Sequence, residues 1–378
     1  MCIRDSTLPA GLDPEREAKY DHILPMLRDM AGLARVLEKK RRARGALDLE
    51  SRECYIVCDA DGLPVDIRVR ESGTSERLIE SFMLAANECV AEHLQKAALP
   101  AVYRVHEKPS ADKAANLKAM LAPLGFALRE ADNGSLQKVL DAARGTPQAP
   151  AIHTMVLRSL MKARYDVQNL GHFGLAAKYY CHFTSPIRRY PDLMVHRILT
   201  ALLDGALEGR TRGKGAAAAQ RAAQQSSDRE VAAMNAEREI EKCYLAEYMH
   251  QHLGETFSGA VSGVTRFGLF VALANGVEGL LPVTALPDDR YEYDEVRMTL
   301  TGSRTKLTYS FGMPLEVLCA AANAGSGQID FTLPGVEGAA PRAIPAAAPK
   351  HQTRTKAKRP SGKPAYRPPK RERGRKKR

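Results

Sequence analysis

The sequence contains no tryptophan, and aromatic residues make up only 6% of its 378 residues. It has no run of 18 apolar residues, so no membrane-spanning helix is predicted. The first residues lack the apolar segment of a secretory signal, and we expect no such leader. Because rings are so scarce, those that lie beside basic residues carry particular weight as candidate binding residues.

Cysteine is sparse as well. The seven cysteines are odd in number and scattered, which indicates reduced thiols rather than a disulfide framework. Cys54 and Cys58 form the only close pair, and their alternating surroundings favour a β-strand over a metal site. We therefore expect a cytoplasmic protein.

Positive charge is concentrated at one end of the chain. The formal net charge is +12, yet residues 341–378 contain 15 Lys and Arg side chains and a single acid, Glu372. The preceding residues are close to neutral as a group. Residues 335–378 have almost no aliphatic side chain larger than alanine and are predicted to form a disordered, Lys/Arg-rich basic tail. Such a tail favours contact with RNA or DNA first and with an acidic membrane surface second.

Helical periodicity dominates the first two thirds of the chain. A helix is predicted to open at Asp13-Pro14 and to kink or split near Pro25, and Asp61-Gly62 predicts a hairpin between strands at 53–58 and 64–69. Further helices are predicted at 75–99, 110–121, 151–165, 186–203 and 227–252, with a loop and short helix at 130–150 and an exposed loop or frayed helix start at 205–225. The predicted apolar face of the helix at 75–99 consists of Leu78, Ile79, Phe82, Met83, Ala86 and Val90.

The pattern changes at Gly254. Short strand-like runs separated by Gly, Asn and Asp follow at 255–264, 269–273, 279–282, 305–309, 315–321 and 329–333. Five or six short strands in close succession are typical of a small barrel of the OB type. The predicted fold class is therefore α+β, followed by an OB-fold β-barrel and the basic tail.

Residues 179–196 (YYCHFTSPIRRYPDLMVH) combine features of a phosphate site. A hydroxyl-capped helix entry at Thr184-Ser185-Pro186 would place Arg188-Arg189 in the first turn, where guanidinium groups, helix dipole and free amides converge on one anion. Three rings surround this pair: His182, Tyr190 and His196. The alternative is an ordinary helix start whose arginines pair with acids such as Asp192, and the residues alone leave both interpretations open.

The same segment resembles the signature of the RNB (ribonuclease II/R) family of exoribonucleases. His172-Phe173-Gly174-Leu175 and then the string from Tyr180 to His196 match it nearly position by position. Cys181 is a mild departure, since the family usually has Ala, Ser or another small residue there. Residues 78–87 and 100–109 resemble further stretches of ribonuclease R-type members, so the RNB-like part covers about residues 10–252.

The resemblance implies a processive 3′-to-5′ exoribonuclease that threads single-stranded RNA and releases nucleoside 5′-monophosphates. Arg188 would then stabilise the scissile phosphate, Glu80 would contact the terminal ribose through its 2′-hydroxyl, and Glu237 would lie near the active site. The remaining RNA-binding candidates in the segment are His182, Thr184, Ser185, Arg189 and Tyr190. From spacing alone, Glu80 and Glu237 would be interpreted as solvated helix charges.

Hydrolysis in this family requires Mg²⁺ held by a cluster of aspartates, and the sequence shows no such cluster. Asp59, Asp61 and Asp66 resemble a metal loop, but their position around Asp61-Gly62 favours a hairpin turn, so no metal ligand is assigned. The resemblance implies a C-terminal portion of an enzyme that lacks its upstream domains and metal ligands, with residues 1–9 unstructured or non-native. We expect this chain not to hydrolyse RNA by itself.

Residues 254–334 resemble the S1 motif, an OB-fold RNA-binding domain, most closely at 263–271. Phe267 and Phe270 would offer ring faces on which bases stack, unless one of them is buried in the barrel. Pro282 stands where a histidine is common, and Gly327-Gln328 where basic residues are frequent. The resemblance therefore implies RNA binding of modest affinity.

Two functions remain open at this point. One is a ribonuclease R-type exoribonuclease represented by an incomplete chain, and the other is a non-catalytic RNA-binding protein that uses the RNB scaffold and S1 barrel as a clamp. Both imply single-stranded RNA as partner, with structured RNA and the ribosome as further candidates, for a monomer that contacts no membrane. A DNA-binding or membrane-surface role would depend on the charge of the tail alone.

Overall fold

The structure, a computed structural model, describes residues 19–48, 53–70, 73–146, 148–206, 210–287, 289–295 and 297–335. The predicted start at residues 1–9, the helix opening at Asp13-Pro14 and the basic tail after Gly335 lie outside these ranges. Within them, no helix combines the length and apolar character needed to cross a membrane. The helices in these ranges are α1 (Leu24–Ala43), α2 (Thr74–Lys96), α3 (Ala111–Leu121), α4 (Asn133–Ala143), α5 (Ala149–Ser159), α6 (Tyr190–Leu203) and α7 (Arg210–His250).

The strands fall into two small pairs, a barrel and a separate three-stranded sheet. The pairs are β1 (Glu53–Cys58) with β2 (Pro64–Arg70) and β3 (Tyr103–Val105) with β4 (Arg164–Asp166), both antiparallel. The barrel strands are β5 (Thr256–Thr265), β6 (Gly268–Leu273), β7 (Glu278–Pro282), β11 (Pro314–Asn323) and β12 (Gln328–Thr332). The three-stranded sheet contains β8 (Tyr291–Asp294), β9 (Thr299–Gly302) and β10 (Thr308–Ser310).

Local signals correctly predict the first elements. Pro25 lies in the first turn of α1, and a turn at residues 21–23 separates α1 from the helical residues before it, as expected for a proline-split helix. The hairpin between β1 and β2 is confirmed, with Gly62 at a φ of 82°. A carboxylate oxygen of Asp59 accepts hydrogen bonds from the amides of Asp61 and Leu63, so this aspartate stabilises a turn.

The buried face of α2 is rotated from the predicted one. Ile79, which was expected to be buried, is 51% exposed. The buried residues recur every three or four positions: Leu78, Ser81, Leu84, Asn87, Ala91 and Leu94. The rotation has a polar cause, because the buried amide of Asn87 donates to the Tyr180 hydroxyl at 3.2 Å and accepts from the Phe183 amide at 3.0 Å.

The alanine-rich stretch at 205–225 differs most from prediction. Most of it belongs to α7, a continuous helix of 41 residues. Of the two predicted alternatives the exposed loop is therefore wrong, and the start of a helix agrees with the structure. Ala219, Ala222 and Ala223 are buried and form one cluster with Val102, Tyr165 and Met194. Alanine favours helices and lets a neighbouring surface approach closely, and the tertiary contact decides the outcome.

The barrel is closed, with strand order β11-β12-β7-β6-β5. The predicted barrel strand at 305–309 is wrong, because β10 belongs to the separate sheet with β8 and β9. Inside the barrel, the ring of Phe331 covers Gly279, and a Cβ atom at that position would overlap the ring. Glycine on β7 therefore makes room for the largest core side chain of β12.

The barrel and the helical part share buried residues on two sides. Ala246 and Met249, near the end of α7, are fully buried in the barrel core. On another side Phe311, just after β10, packs into the core of α3, α4 and α5, and the Arg158 guanidinium donates to the Ser262 carbonyl at 3.2 Å. The helical part therefore contributes side chains that complete the barrel core.

Candidate nucleic-acid interface

The segment 183–189 is an irregular loop that leads into α6. The helix begins at Tyr190, with Pro191 in its first turn, so the predicted helix entry at Thr184-Ser185-Pro186 is wrong. Residues 186–188 form a separate turn instead. Arg188 therefore precedes the helix, whereas the phosphate-site interpretation places it in the first turn.

Asp192 explains this geometry. Its side chain is 0% exposed, and one carboxylate oxygen, Oδ2, accepts hydrogen bonds from the Ser185 amide and from Arg189 Nη2, each at 2.8 Å. The buried charge is thus compensated by a guanidinium and an amide from the preceding loop. This arrangement, which we call the Asp192 lock, fixes the loop against the first turn of α6.

The two neighbouring arginines have different surroundings. Arg189 is committed to Asp192, as the alternative interpretation of the sequence proposed, and its side chain is 21% exposed. Arg188 is exposed, and among the described residues it has no ion pair. Ile187 is fully exposed beside it and Tyr190 is 50% exposed. The lock therefore presents Arg188 to solvent on a protruding turn as a cation available to an external anion.

His182 and Thr184 lie deeper than the sequence suggests. His182 packs edge-on between two tyrosines, with ring centroids 5.6 Å from Tyr165 and 5.7 Å from Tyr180. Its Nδ1 lies 2.9 Å from the Tyr165 hydroxyl, and Thr184 Oγ1 is buried. Ser185 is partly buried, and it reaches Asp192 through its amide. These residues support the loop, and Arg188 and Tyr190 are the candidates that it exposes.

Two further histidines extend this group, and the sequence offered no reason to connect them. The centroid of the His172 ring lies 5.0 Å from that of His106 and 5.1 Å from that of Tyr180. Nδ1 of His106 accepts from the Gly174 amide, and Nδ1 of His172 accepts from the Leu175 amide. His106 and His172 are 66 positions apart in the chain, so only the fold brings them together.

Burial keeps the central histidines neutral. It lowers the pKa of His182 to about 3, with a further contribution from the positive charges of Arg189 and Arg104. It likewise lowers the pKa of His172 to about 3. Burial also raises the pKa of Tyr165 to about 12. Near neutral pH these rings carry no charge, so they position the loop and do not attract phosphate.

Arg104, which is paired within the protein, packs on the ring of Tyr165. The Arg104 guanidinium carbon lies 4.6 Å from the centre of the Tyr165 ring. Arg104 Nη1 also donates to Glu230 of α7 at 2.6 Å. The charge of Arg104 is therefore compensated by the protein, in contrast to Arg188.

The two glutamates of the predicted site lie on separate helices. Glu80 on α2 and Glu237 on α7 are both exposed. Every residue from 231 to 242 of α7 is exposed, so Glu237 lies on a solvent-facing stretch of the helix. No hydrogen bond or ion pair within the described residues links either glutamate to Arg188.

The described residues do not fit a metal pair. No three His, Cys, Asp or Glu side chains in the described part of the chain are grouped closely enough to hold a metal ion. Asp59 uses its carboxylate on backbone amides of the hairpin, and Asp66 pairs with Arg68 at 2.7 Å. Two of the three residues considered as a metal loop in the sequence, Asp59 and Asp66, therefore have structural roles.

On the barrel, Phe267 and Phe270 form one aromatic patch. Phe267 is 53% exposed and Phe270 is partly buried, and their centroids are 6.4 Å apart with planes at 85°. Phe270 lies opposite Gly263 on β5, and a Cβ atom at that glycine would come to 3.4 Å from the ring. The glycine leaves space beside Phe270, and neither ring belongs to the buried barrel core.

Comparison with known proteins agrees with this architecture. The RNB domain family model matches residues 7–205, and the S1 RNA binding domain model matches residues 251–307. Ribonuclease R 1 of Lactococcus lactis is 42% identical over 316 residues, which cover 82% of this chain and 39% of the relative. Ribonuclease R of Aquifex aeolicus is 38% identical over 325 residues, covering 85% of this chain and 46% of that protein.

A solved structure shows the same fold. Mycoplasma genitalium ribonuclease R in complex with ribose-methylated single-stranded RNA has a TM-score of 0.79 and 30% identity, over 83% of this chain and 50% of that one. This chain thus spans half or less of the length of these relatives. The family model covers more than half of the chain, and the helical part followed by a closed five-stranded barrel agrees with it. The chain belongs to the RNB family, with an S1 domain after its RNB region.

Proposed function

We propose that this chain forms the RNA-gripping part of a ribonuclease R-type 3′-to-5′ exoribonuclease, which degrades single-stranded RNA processively to nucleoside 5′-monophosphates. One observation carries the proposal: the Asp192 lock leaves Arg188 as an exposed cation on a turn within the segment that resembles the family signature. A guanidinium fork held in this way suits the oxygens of a phosphodiester. The relatives named ribonuclease R support the same activity for the whole protein.

The candidate residues have separate proposed roles in RNA binding. Arg188 binds a backbone phosphate near the 3′ end of the RNA, and Tyr190 offers a ring beside it. Arg189 acts through Asp192, and His182, Thr184 and Ser185 shape the loop. Glu80 accepts a hydrogen bond from the terminal ribose, a contact that would distinguish RNA from DNA, and Glu237 lies along the same path.

A role for magnesium is expected from family membership alone. RNB membership is consistent with a divalent metal requirement, but the described residues do not fit a metal pair, so no step of hydrolysis is assigned to them. We propose that the chain as given binds RNA without cleaving it. Incubation of the purified chain with uniformly labelled single-stranded RNA and Mg²⁺ tests this, and release of labelled mononucleotides would contradict it.

The barrel supplies the second contact. We assign residues 10–252 to the RNB region, residues 254–334 to the S1 barrel and the remainder to the basic tail. Phe267 and Phe270 stack on bases of the same strand, and the S1 family match supports this role. Structured RNA and the ribosome are further proposed partners of a monomeric, cytoplasmic protein. Deletion of residues 341–378 should flatten the salt dependence of RNA binding, since the tail contacts phosphates alone.

Arg188→Ala tests whether the exposed Arg188 binds a phosphate of the RNA. We expect roughly a tenfold loss of affinity for single-stranded RNA in fluorescence anisotropy, because one charge-assisted phosphate contact disappears. The slope of log Kd against log salt should fall by about one. Arg129→Ala removes another exposed arginine from the helical part and serves as the matched control. Equal effects of the two substitutions would refute the assignment of Arg188.

The alternative function is a non-catalytic RNA clamp built on the same scaffold. The absence of a metal cluster among the described residues is compatible with both functions. They diverge in the genomic sequence upstream of the first codon. An in-frame, aspartate-rich segment preceded by small β-barrel domains favours the enzyme, whereas a promoter and ribosome-binding site immediately upstream favour the clamp.

A further inference from the structure

One row of side chains crosses the outer face of the barrel. Phe270 on β6 pairs with Leu280 on β7, and Leu280 pairs in turn with Asp330 on β12. Cross-strand partners point to the same side of a sheet. The neighbours of Asp330 along its strand, Ile329 and Phe331, are buried in the barrel core, so Asp330 lies on the outer face with Phe270.

Asp330 has no structural partner within the described residues, unlike Glu278 on the neighbouring strand β7. Glu278 on β7 accepts a hydrogen bond from the Ser262 hydroxyl, and Asp289, in the loop before the three-stranded sheet, accepts four or more bonds from its surrounding loop. Asp330 is partly buried, and within the described residues no hydrogen bond or ion pair engages its carboxylate. Burial alone raises its pKa, as expected for an acid without a nearby cation.

A carboxylate at this position is costly for simple RNA binding. It repels phosphates, and partial burial weakens its hydration. The cost is offset if a bound base replaces the lost water with hydrogen-bond donors. Neighbouring strands are about 4.8 Å apart, so Asp330 lies roughly 10 Å from Phe270 across the row. A base stacked on Phe270 extends over Leu280 and presents its edge to Asp330.

The chemistry of the carboxylate selects among the four bases. Its two oxygens accept hydrogen bonds side by side and therefore suit two adjacent N–H donors. Guanine offers this pair on its Watson–Crick edge through N1–H and the N2 amino group. Adenine, cytosine and uracil each place an acceptor beside the donor on that edge, where it faces a carboxylate oxygen unfavourably. Single-stranded RNA exposes these edges for recognition.

We propose that Asp330 is a specificity-determining residue that makes the S1 barrel prefer single-stranded RNA with guanine stacked on Phe270. This inference rests on the proposed RNA-binding function of the barrel and assigns a base preference to it. Leu280 provides the apolar floor between the stacking ring and the carboxylate. The outer face of the barrel thus combines stacking on Phe270, which any base can make, with hydrogen bonds to Asp330, which favour guanine.

Inosine makes the test specific, because it keeps N1–H and lacks the N2 amino group. The full chain is titrated against fluorescent RNAs that repeat the triplets UUG, UUI or UUA, at a salt concentration that screens the basic tail. We expect UUG to bind about tenfold more tightly than UUI or UUA, the discrimination typical of one bidentate base contact. Asp330→Asn should reduce the ratio to within about twofold and strengthen binding of UUA, since a negative charge is lost.

Glu316→Gln is the matched control. Glu316 is an exposed acid on β11 that also precedes a buried core residue, Val317, but it does not belong to the Phe270 row. This variant should keep the preference for UUG. The inference is overturned if the wild-type chain binds all three RNAs equally or if Asp330→Asn retains the preference. A Phe267→Ala/Phe270→Ala variant separates the two levels: unchanged RNA affinity would refute stacking by the barrel itself.

Discussion

The turn at residues 186–190 and the outer face of the barrel both expose groups suited to RNA, but different forces hold them. The turn depends on one buried carboxylate oxygen that accepts bonds from Ser185 and Arg189. The aromatic patch rests on backbone ladders and an apolar core, with Phe270 paired on both sides. Removal of the Asp192 carboxylate should disturb the whole turn, whereas removal of one side chain from the barrel surface should remove a single contact and leave the sheet intact. The comparison predicts different responses to substitution.

Asp192→Ala should have the largest effect. Removal of a fully buried carboxylate leaves the Arg189 guanidinium without its partner, which we expect to lower the free energy of unfolding by about 3 kcal/mol. Urea denaturation followed by circular dichroism measures this change. RNA affinity should fall at least as far as in Arg188→Ala, because the turn that presents Arg188 loses its anchor.

The control is Asp204→Ala, which removes an exposed aspartate at the end of the same helix. Asp192→Asn preserves the volume and should lose less stability than the alanine variant, since one acceptor oxygen remains. A loss of stability that is equal at Asp192 and Asp204 would contradict the lock.

The double substitution Phe267→Ala/Phe270→Ala should weaken RNA binding without unfolding the barrel. Stacking is worth about 1–3 kcal/mol per base, so roughly a thirtyfold loss of affinity is expected. Unlike Arg188→Ala, this variant should leave the salt slope unchanged, because no phosphate contact is removed. Leu307→Ala, which truncates another exposed apolar side chain, between β9 and β10 of the three-stranded sheet, is the control. A changed slope would show that the rings act by another route.

A pH-dependent effect on stability should arise in the helical part. His172 and His182 have a pKa of about 3 in the folded chain against an ordinary value of 6.5, so the unfolded chain binds more protons between these values. Stability should therefore be complete above pH 6.5 and decrease as the pH falls towards 3. His182→Asn removes one titrating group while keeping a polar atom near Tyr165, and its melting temperature should vary less with pH over this range. An identical pH dependence in both chains would refute the contribution of His182.

The sequence predicts those features that short segments decide. The hairpin at Asp61-Gly62 and the split at Pro25 follow from a few neighbouring residues, and the structure confirms them. The OB-type barrel also follows from its short strands, although one strand was assigned to the wrong sheet. Local turn chemistry and alternation leave these elements few alternatives.

The remaining features depend on contacts between distant segments. The helix entry expected at Thr184-Ser185 shifts to Tyr190 because Asp192 binds the Ser185 amide. The stretch at 205–225, for which the sequence leaves a loop or a frayed helix start open, is helical from Arg210 onward because its alanines are buried against Val102 and Tyr165. Arg188 was identified from the resemblance, but its separation from the paired Arg189 becomes visible only when the burial of Asp192 is known. The role proposed for Asp330 likewise depends on strand pairing that the sequence does not display.

The long helix α7 connects the helical part to the barrel and fixes how its two buried ends are rotated about the helix axis. It is buried at Ala219 near one end and at Ala246 near the other, and the residues from 231 to 242 between them are exposed. Inserting one residue into this exposed stretch would rotate one end against the other by about 100°. The second attachment, through Phe311 and Arg158, opposes such a rotation. Substitutions of the exposed residues at 231–241 should therefore change the stability of the fold little, whereas a change in the length of this stretch should disrupt it.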